Sequence, residues 1–144
     1  MSIRDILIVG AGPSGLATAI AARQLGLDFA IVEQGVLVNS IFNFPTQMVF
    51  FTTPELLEIG GLPLTTPFDK PTRLEALRYY RRVVDTYQLQ IAFEEKVVEI
   101  EREADGTFAV TTASPRGRLR VREARAVVLA IGYYDIPNLL GIPG

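Results

Sequence analysis

Three runs of consecutive apolar residues divide the chain, at residues 6–9, 29–32 and 126–131. Runs of this length, rich in Val, Ile and Leu, are typical of strands buried on both faces of a parallel sheet. Residues 16–25, between the first two runs, are rich in helix formers, and Gly26 follows them as a helix terminator. The pattern predicts a complete β-α-β unit in residues 1–33 and a further buried strand near the end.

The segment from residue 34 to residue 71 shows neither helical nor strand periodicity, and five prolines interrupt it. Irregular segments of this length inside a compact domain are usually either functional or disordered. Four phenylalanines favour an ordered, functional loop here. They are Phe42, Phe44, Phe50 and Phe51.

The next segment carries the start signal of a helix. Thr72 is followed three residues later by Glu75, which is the spacing of a capping box. The apolar spacing predicts a helix that continues to about Tyr87 and buries one stripe of side chains. The predicted stripe is Leu74, Leu77, Tyr80, Val84 and Tyr87.

Short alternating segments follow, and they predict strands. Residues 89–93 form one candidate strand, and residues 96–102 and 107–112 flank Asp105-Gly106, a strong hairpin signal. Residues 118–122 supply a further strand after a turn at residues 115–117. The fold class predicted is therefore α/β: a Rossmann-like domain with a parallel central sheet and a small antiparallel β-meander.

Composition narrows the possible functions. The chain has 144 residues, enough for one domain, and its net charge of −2 is dispersed, which favours neither a nucleic-acid partner nor an anionic membrane partner. It has no apolar run of about 18 residues and no signal-peptide pattern, so we expect a cytoplasmic protein. Cys and His are both absent, which excludes a thiolate nucleophile, a Ser-His-Asp triad and a Cys or His metal site within this chain.

The strongest motif is a glycine-rich turn between the first strand and the first helix. Gly10 permits a tight turn, Gly12 lets the backbone approach a pyrophosphate, and Gly15 allows close packing of the helix. The helix N-terminus favours phosphate through its free N–H groups and dipole. Glu33 ends the second strand, 23 residues after Gly10, and is expected to accept hydrogen bonds from an adenosine ribose. Its charge disfavours a 2′-phosphate at this site.

Both FAD and NAD satisfy this fingerprint, and three features favour FAD. The long loop after Glu33 is suited to covering a flavin ring. The β-meander replaces the crossover helix expected in a simple NAD domain. The last buried strand ends at Gly132 and is followed by a Pro/Gly-containing tail, residues 136–144, with the composition of an interdomain linker.

Several segments resemble one flavoprotein family. The chain is similar to the N-terminal part of the thioredoxin-reductase-like flavoproteins, and more closely to the YpdA family of bacillithiol-disulfide reductases. The segments that carry the resemblance are residues 9–16, 39–46, 57–60, 132–135 and 137–138. It implies FAD and, in the full-length protein, NADPH as cofactors, and a low-molecular-weight disulfide such as bacillithiol disulfide as substrate.

The resemblance also implies roles for individual residues, all of them cofactor-binding; it leaves the catalytic residues open. The predicted pyrophosphate contacts are Gly10, Gly12, Pro13, Ser14 and Gly15. Glu33 and Gln34 would bind the adenosine end and Val97 the adenine through its backbone; Asn43 and Thr46 would lie near the flavin ring, and Gly132 would approach the dinucleotide closely. The alternatives are that Asn43 and Thr46 only satisfy loop backbone and that Val97 belongs to the core.

The chain departs from the family in three respects. Ser14 stands where members often carry Cys in the glycine-rich turn, so a thiol cannot act there. Ile131 replaces the Thr of the usual Ala-Thr-Gly sequence before Gly132. The NADPH domain and the C-terminal return segment of the family are absent, so residues 1–144 are predicted to be an incomplete FAD-binding domain that is inactive alone.

Two other classes of function stay open at this point. One is a flavin monooxygenase-type domain, which shares the glycine fingerprint; the other is a stand-alone dinucleotide-binding module without catalysis. The sequence leaves the oligomeric state open, a homo-oligomer included.

Overall fold

The computed structural model describes residues 3–136 and 138–142. The two main helices and the strands follow one another along the chain in the predicted order, except that the last two predicted strands form one. The elements are β1 (Arg4–Val9), α1 (Pro13–Gln24), β2 (Phe29–Val32), α2 (Asn39–Phe42), a 3₁₀ turn (Pro54–Leu56), α3 (Arg73–Thr86), β3 (Ile91–Ala92), β4 (Lys96–Arg102), β5 (Phe108–Ala113) and β6 (Leu119–Leu129). Pro137, Pro143 and Gly144 of the linker-like tail lie outside the described residues.

The strands form one sheet in the order β3-β2-β1-β6-β5-β4. The pairs β3–β2, β2–β1 and β1–β6 are parallel, whereas β6–β5 and β5–β4 are antiparallel. The predicted combination of a parallel sheet with an antiparallel meander is thus confirmed.

Strand β6 joins the two parts of the sheet. Ala124 pairs with Arg4 of β1 on one side and with Phe108 of β5 on the other. The sequence predicts two separate strands here, but the structure has one, because no Gly, Pro or Asn lies between Leu119 and Leu129 to break the extended chain.

The two faces of the sheet carry separate cores. On one face α1, α3 and the long loop bury a cluster that includes Ile8, Leu16 and Tyr80. The other face buries a smaller cluster, with Leu7 and Val110 fully inside. Val110 belongs to β5, so residues of the meander contribute to this second core in place of a helix.

Helix α3 begins with the predicted capping box. The backbone N–H of Thr72 donates to Glu75 Oε2 at 2.8 Å, and the Glu75 N–H donates to Thr72 Oγ1 at 3.3 Å. The predicted stripe is confirmed at Tyr80, which is buried, and at Leu77, Val84 and Tyr87, which pack partly buried against the core. The buried side chains are Ala76, Tyr79, Tyr80 and Val83, whereas Leu74 is exposed.

Two tyrosines of α3 bind the backbone of the irregular loop. Tyr79 Oη accepts from the Ile59 N–H at 2.8 Å and lies 2.8 Å from the Leu62 carbonyl oxygen, while Tyr80 Oη donates to the Leu57 carbonyl oxygen at 2.9 Å. A buried tyrosine needs a partner for its hydroxyl, and the loop supplies it. The loop is therefore held in place by α3, in agreement with the prediction that it is ordered.

Candidate dinucleotide-binding site

A cleft of about 650 Å³ opens at the carboxyl ends of β1, β2 and β6. Ligands of open α/β sheets bind in this position, and the volume is in the range of small-molecule and cofactor sites. Eight of the predicted site residues line it: Gly10, Gly12, Pro13, Ser14, Glu33, Gln34, Val97 and Gly132. Asn43 lines a second, adjoining pocket, and Gly15 and Thr46 line neither.

The three positions of the turn are glycine for different physical reasons. Gly10 has a φ of +109°, and a Cβ there would overlap the Ala130 carbonyl oxygen. A Cβ at Gly15 would overlap the Gly10 carbonyl oxygen, so this glycine lets α1 pack against the turn. Both are required by the fold itself.

Gly12 is required by neither packing nor backbone conformation. Its φ is −79°, which any residue adopts, and a Cβ there would meet no protein atom within 4 Å. The open space in front of it faces the cleft. A side chain at this position would occupy that space, so the structure leaves a cradle that suits a ligand against the backbone.

The N-terminus of α1 points a positive dipole at this cradle. Gly12 is the N-cap and offers no side-chain hydrogen bond, Pro13 follows it, and the first turn holds no acidic residue. The first helical N–H groups and the dipole are therefore uncompensated by the helix, an arrangement suited to a phosphate. Ser14 is exposed at the same place.

Glu33 is buried between the glycine turn and the following loop. Its Oε2 accepts from the Ala11 N–H and its Oε1 from the Gly35 N–H, each at 2.8 Å. The carboxylate thus fixes the turn, and each oxygen keeps a free lone pair for a further donor. The predicted ribose contact stays a prediction.

Val38 also ties the loop to the turn. This buried, β-branched residue has a φ of +46°, and its N–H donates to the Ala11 carbonyl oxygen at 3.1 Å. A valine with a left-handed backbone is rare and persists only where its surroundings hold it. Because Val38 lines the cleft, the loop wall is rigid where a ligand would touch it.

The third wall of the cleft is the start of β4. The Glu95 N–H donates to the Glu33 carbonyl oxygen at 2.9 Å, and the Glu95 side chain is held by Arg122, Arg120 and Thr112. The hydrogen bond from the Arg122 guanidinium lowers the pKa of the Glu95 carboxyl from its ordinary value. This effect is larger than that of burial, which raises the pKa. The sequence analysis missed these residues; the alternation of Arg118, Arg120 and Arg122 was the available signal.

Val97 lies between the cleft and the core. It lines the cleft and also packs, half-buried, against the second core. Its contact with an adenine stays a prediction.

The opposite end of the cleft is formed by the loop and the tail. Gln34 Nε2 donates to Asp135 Oδ2 at 3.4 Å, and Tyr134 packs edge-to-face on Phe44 with ring centres 4.8 Å apart.

The Asn43 side chain donates to the Asn39 carbonyl oxygen at 2.8 Å, as the loop-backbone alternative predicts. Thr46 is exposed. The flavin contacts of Asn43 and Thr46 stay predictions.

Together, the β-α-β unit, the glycine cradle and the acid at the end of β2 define a Rossmann-type dinucleotide-binding domain. A family profile described as pyridine nucleotide-disulphide oxidoreductase matches residues 7–144. The chain belongs to this family, as the sequence predicted.

Three relatives show how similar the chain is to known proteins in sequence and in structure. Bacilliredoxin reductase Bdr of Bacillus subtilis (strain 168) is 38% identical over 96% of this chain and 41% of its own length. The structure of bacillithiol disulfide reductase Bdr (YpdA) from Bacillus cereus matches with a TM-score of 0.93 at 37% identity, covering 99% of this chain and 44% of that one. The structure of the same name from Staphylococcus aureus matches with a TM-score of 0.90 at 37% identity, covering 100% of this chain and 43% of that one.

More distant relatives bear on the alternatives. Flavin monooxygenase structures match at 22–23% identity, which shows a shared fold alone. The flavin monooxygenases are thus more distant from this chain than the disulfide reductases are. FAD with a pyridine nucleotide, the predicted cofactor pair, is the pair used in this family. The chain spans about two fifths of the length of the curated relatives it matches.

No helix in residues 3–136 and 138–142 is long and apolar enough to span a membrane. Over the same residues the acidic side chains form no cluster suited to a metal ion.

Proposed function

We propose that residues 1–144 form the FAD-binding domain of an NADPH-dependent flavoprotein reductase. The observation that carries the proposal is Gly12, whose missing side chain serves neither packing nor backbone conformation. A space kept open beside an uncompensated helix N-terminus fits the pyrophosphate of a dinucleotide.

The cleft residues divide the work of holding FAD. The backbone of Gly12, Pro13 and Ser14 would face the pyrophosphate, with the α1 dipole stabilising its charge. The free lone pairs of Glu33 would accept from the ribose hydroxyls. Residues 95–97 would border the base. When bound, FAD supplies the capacity to accept a hydride and pass electrons on; the chain's part is to bind and orient it.

The disulfide reductase relatives support the choice of substrate. Relatives at 37–38% identity are named bacilliredoxin reductase or bacillithiol disulfide reductase. We therefore propose that the whole protein uses NADPH to reduce a low-molecular-weight disulfide such as bacillithiol disulfide. NADPH and a proton provide the two electrons and two protons that convert the disulfide into two thiols. The NADPH domain and the segment that completes the FAD domain would lie outside residues 1–144.

Ser14 limits how the electrons can leave the flavin. The chain has no cysteine, so no residue of this domain can form a mixed disulfide with the substrate. A serine hydroxyl can hydrogen-bond a phosphate but cannot take part in thiol–disulfide exchange. Any protein thiol used in the reaction must come from outside residues 1–144.

The compartment and partners follow from this chemistry. A reductase of small disulfides suits the cytoplasm, where thiols are kept reduced. We propose a small-molecule disulfide as the partner, no nucleic acid and no membrane, with a homo-oligomer left open.

The test is anaerobic reduction of the intact protein reconstituted with FAD. NADPH should bleach the flavin absorbance, and bacillithiol disulfide added afterwards should restore it with release of two thiols per disulfide. Restoration by oxygen alone, with a substrate oxygenated, would instead support the monooxygenase. If the protein binds FAD but NADPH does not bleach the flavin absorbance, the proposed reductase function is refuted.

A further inference from the structure

The Glu95 carboxylate is bound by three side chains of the meander. Arg122 donates through both terminal nitrogens, its Nη2 to Oε1 at 2.9 Å and its Nη1 to Oε2, and Thr112 Oγ1 donates to Oε2 at 2.8 Å. Arg120 Nη1 adds a contact to Oε1 at 3.3 Å. The side chains of Glu95 and Arg122 are only 16% and 15% exposed, so this two-nitrogen ion pair is far better fixed than an exposed one.

The backbone just before Glu95 is held in an unfavourable conformation. Glu94 has a φ of +56°, a region that non-glycine residues rarely adopt. This turn directs the Glu95 N–H onto the Glu33 carbonyl oxygen, at 2.9 Å. The Glu33 N–H itself donates to the Ala92 carbonyl oxygen. Such a conformation persists only where the surroundings fix it, and the ion pair of Glu95 does so one residue further on.

Beyond Glu95 the chain enters the edge strand of the sheet. β4 pairs on one side only, with β5, so half of its main-chain groups have no strand partner. The ladder shifts register between Val97 and Glu99, and this irregularity re-aims the strand beside the cleft. Lys96 and Val97 line the cleft at this point.

The position of this wall relative to Glu33 assigns it to the base of a bound dinucleotide. In a β-α-β unit the pyrophosphate lies at the helix N-terminus and the adenosine ribose at the acid that ends the second strand. Glu95 is hydrogen-bonded to that acid's own backbone. The base attached to the ribose therefore extends toward residues 95–97.

We propose that Glu95 and Arg122 are positioning residues for nucleotide recognition: their ion pair holds the main chain of Lys96 and Val97 where it reads the edge of the adenine base. This inference rests on the proposed binding of FAD. Neither side chain needs to touch the cofactor, because the ion pair acts through the backbone that it fixes.

The experiment compares two diphosphates on the intact apoprotein, measured by competition against FAD. ADP and IDP share the ribose and the pyrophosphate and differ at the edge of the base, where the amino group of adenine is a carbonyl oxygen in hypoxanthine. We expect the wild type to prefer ADP by about tenfold, the value of one well-formed hydrogen bond. In Glu95→Gln the ADP affinity should fall by about tenfold while the IDP affinity changes less than about twofold.

Two further variants complete the design. Arg125→Gln removes an exposed ion pair with Asp5 at the β1–β6 pairing and should leave both affinities unchanged. Arg122→Lys keeps the charge but loses the two-nitrogen contact and should reduce the preference for ADP; it carries the comparison should Glu95→Gln not fold.

The outcomes separate the two proposals. No FAD binding by the wild type would refute the proposed function. FAD binding with equal affinities for ADP and IDP in the wild type would refute base-edge recognition. Equal losses for ADP and IDP in Glu95→Gln would mean that the ion pair only stabilises the meander, and an unchanged preference for ADP in both variants would overturn the inference.

Discussion

At the scale of single residues, the glycine turn separates requirements of the fold from requirements of a ligand. Gly10 and Gly15 are needed because a Cβ at either would overlap a carbonyl oxygen of the protein itself. Gly12 meets no protein atom and has an ordinary backbone conformation. The distinction matters because a glycine motif shows a nucleotide site only where the fold does not already demand the glycines.

Replacing Gly12 by Val tests this distinction. The side chain would fill the cradle, so FAD affinity should fall by at least about a hundredfold, or about 2.7 kcal/mol. The melting temperature should change little, because the added atoms contact no protein group. Titration of flavin fluorescence and a thermal melt measure the two effects. The matched control is Gly15→Ala, which should destabilise the fold by roughly 2–4 kcal/mol; unchanged FAD affinity in Gly12→Val would show that the turn has no ligand role.

Glu33 has a structural role that the sequence did not reveal. Its two oxygens hold the N–H groups of Ala11 and Gly35, so Glu33→Gln would place an amide NH₂ against one of these donors. We expect a loss of about 1–3 kcal/mol in the free energy of unfolding, measured by urea denaturation, together with weaker FAD binding. Full stability in Glu33→Gln would mean that the carboxylate does not fix the turn.

At the scale of elements, α3 is the support of the long loop. Burial is the main cause that raises the pKa of Tyr80 well above its ordinary value, and the neighbouring Tyr79 adds to it. Burial also raises the pKa of Tyr79. A pKa that is higher in the folded than in the unfolded protein gives stability that is complete below the unfolded value, about 10, and lost as the pH rises above it.

The attachment of the long loop to α3 should therefore weaken at alkaline pH. We expect the free energy of unfolding, from urea denaturation, to fall steeply between about pH 10 and pH 12. Tyr80→Phe should cost about 1 kcal/mol at pH 8 through the lost hydrogen bond to Leu57, and its stability should then fall less steeply above pH 10. The exposed Tyr133→Phe is the control; an identical alkaline slope in Tyr80→Phe and wild type would contradict this account of α3.

How much of each element could be predicted depends on whether its signal is local. The buried runs of β1 and β2, the glycine turn and the Thr72 capping box are local patterns, and the structure has them. On α3 the apolar spacing predicted the burial of Tyr80 but not that of Tyr79, because Tyr79 is buried where its hydroxyl binds a distant loop backbone. The pairing of Glu95 with Arg122 depends on cross-strand register, and the left-handed Val38 on tertiary packing, neither of which a local pattern encodes.

At the scale of the whole molecule, the sequence carries one dinucleotide-binding motif. The only glycine fingerprint in the sequence is the one at Gly10, and the structure places it in the main cleft. The relatives are more than twice as long. The sequence therefore offers no second glycine fingerprint for another nucleotide.

We accordingly expect residues 1–144 alone not to oxidise NADPH. Hydride transfer requires the nicotinamide to be held with its reacting atom roughly 3–3.5 Å from the flavin, and the effective concentration that a tethered second domain provides is missing. Anaerobic mixing of the FAD-loaded chain with NADPH, followed at the flavin absorbance, measures this. Rapid stoichiometric bleaching would place the NADPH site within these residues.

The preference of the cleft for FAD over NAD⁺ is the most direct evidence for or against a flavin-binding domain. Equilibrium titration of the protein with FAD and with NAD⁺, each followed by calorimetry under the same conditions, compares the two ligands that share the glycine fingerprint. The account predicts that FAD binds more tightly, by at least about tenfold, because the long loop and the residue 133–136 segment border the cleft beyond the pyrophosphate. Tighter binding of NAD⁺ would contradict the assignment of this chain as a flavin-binding domain.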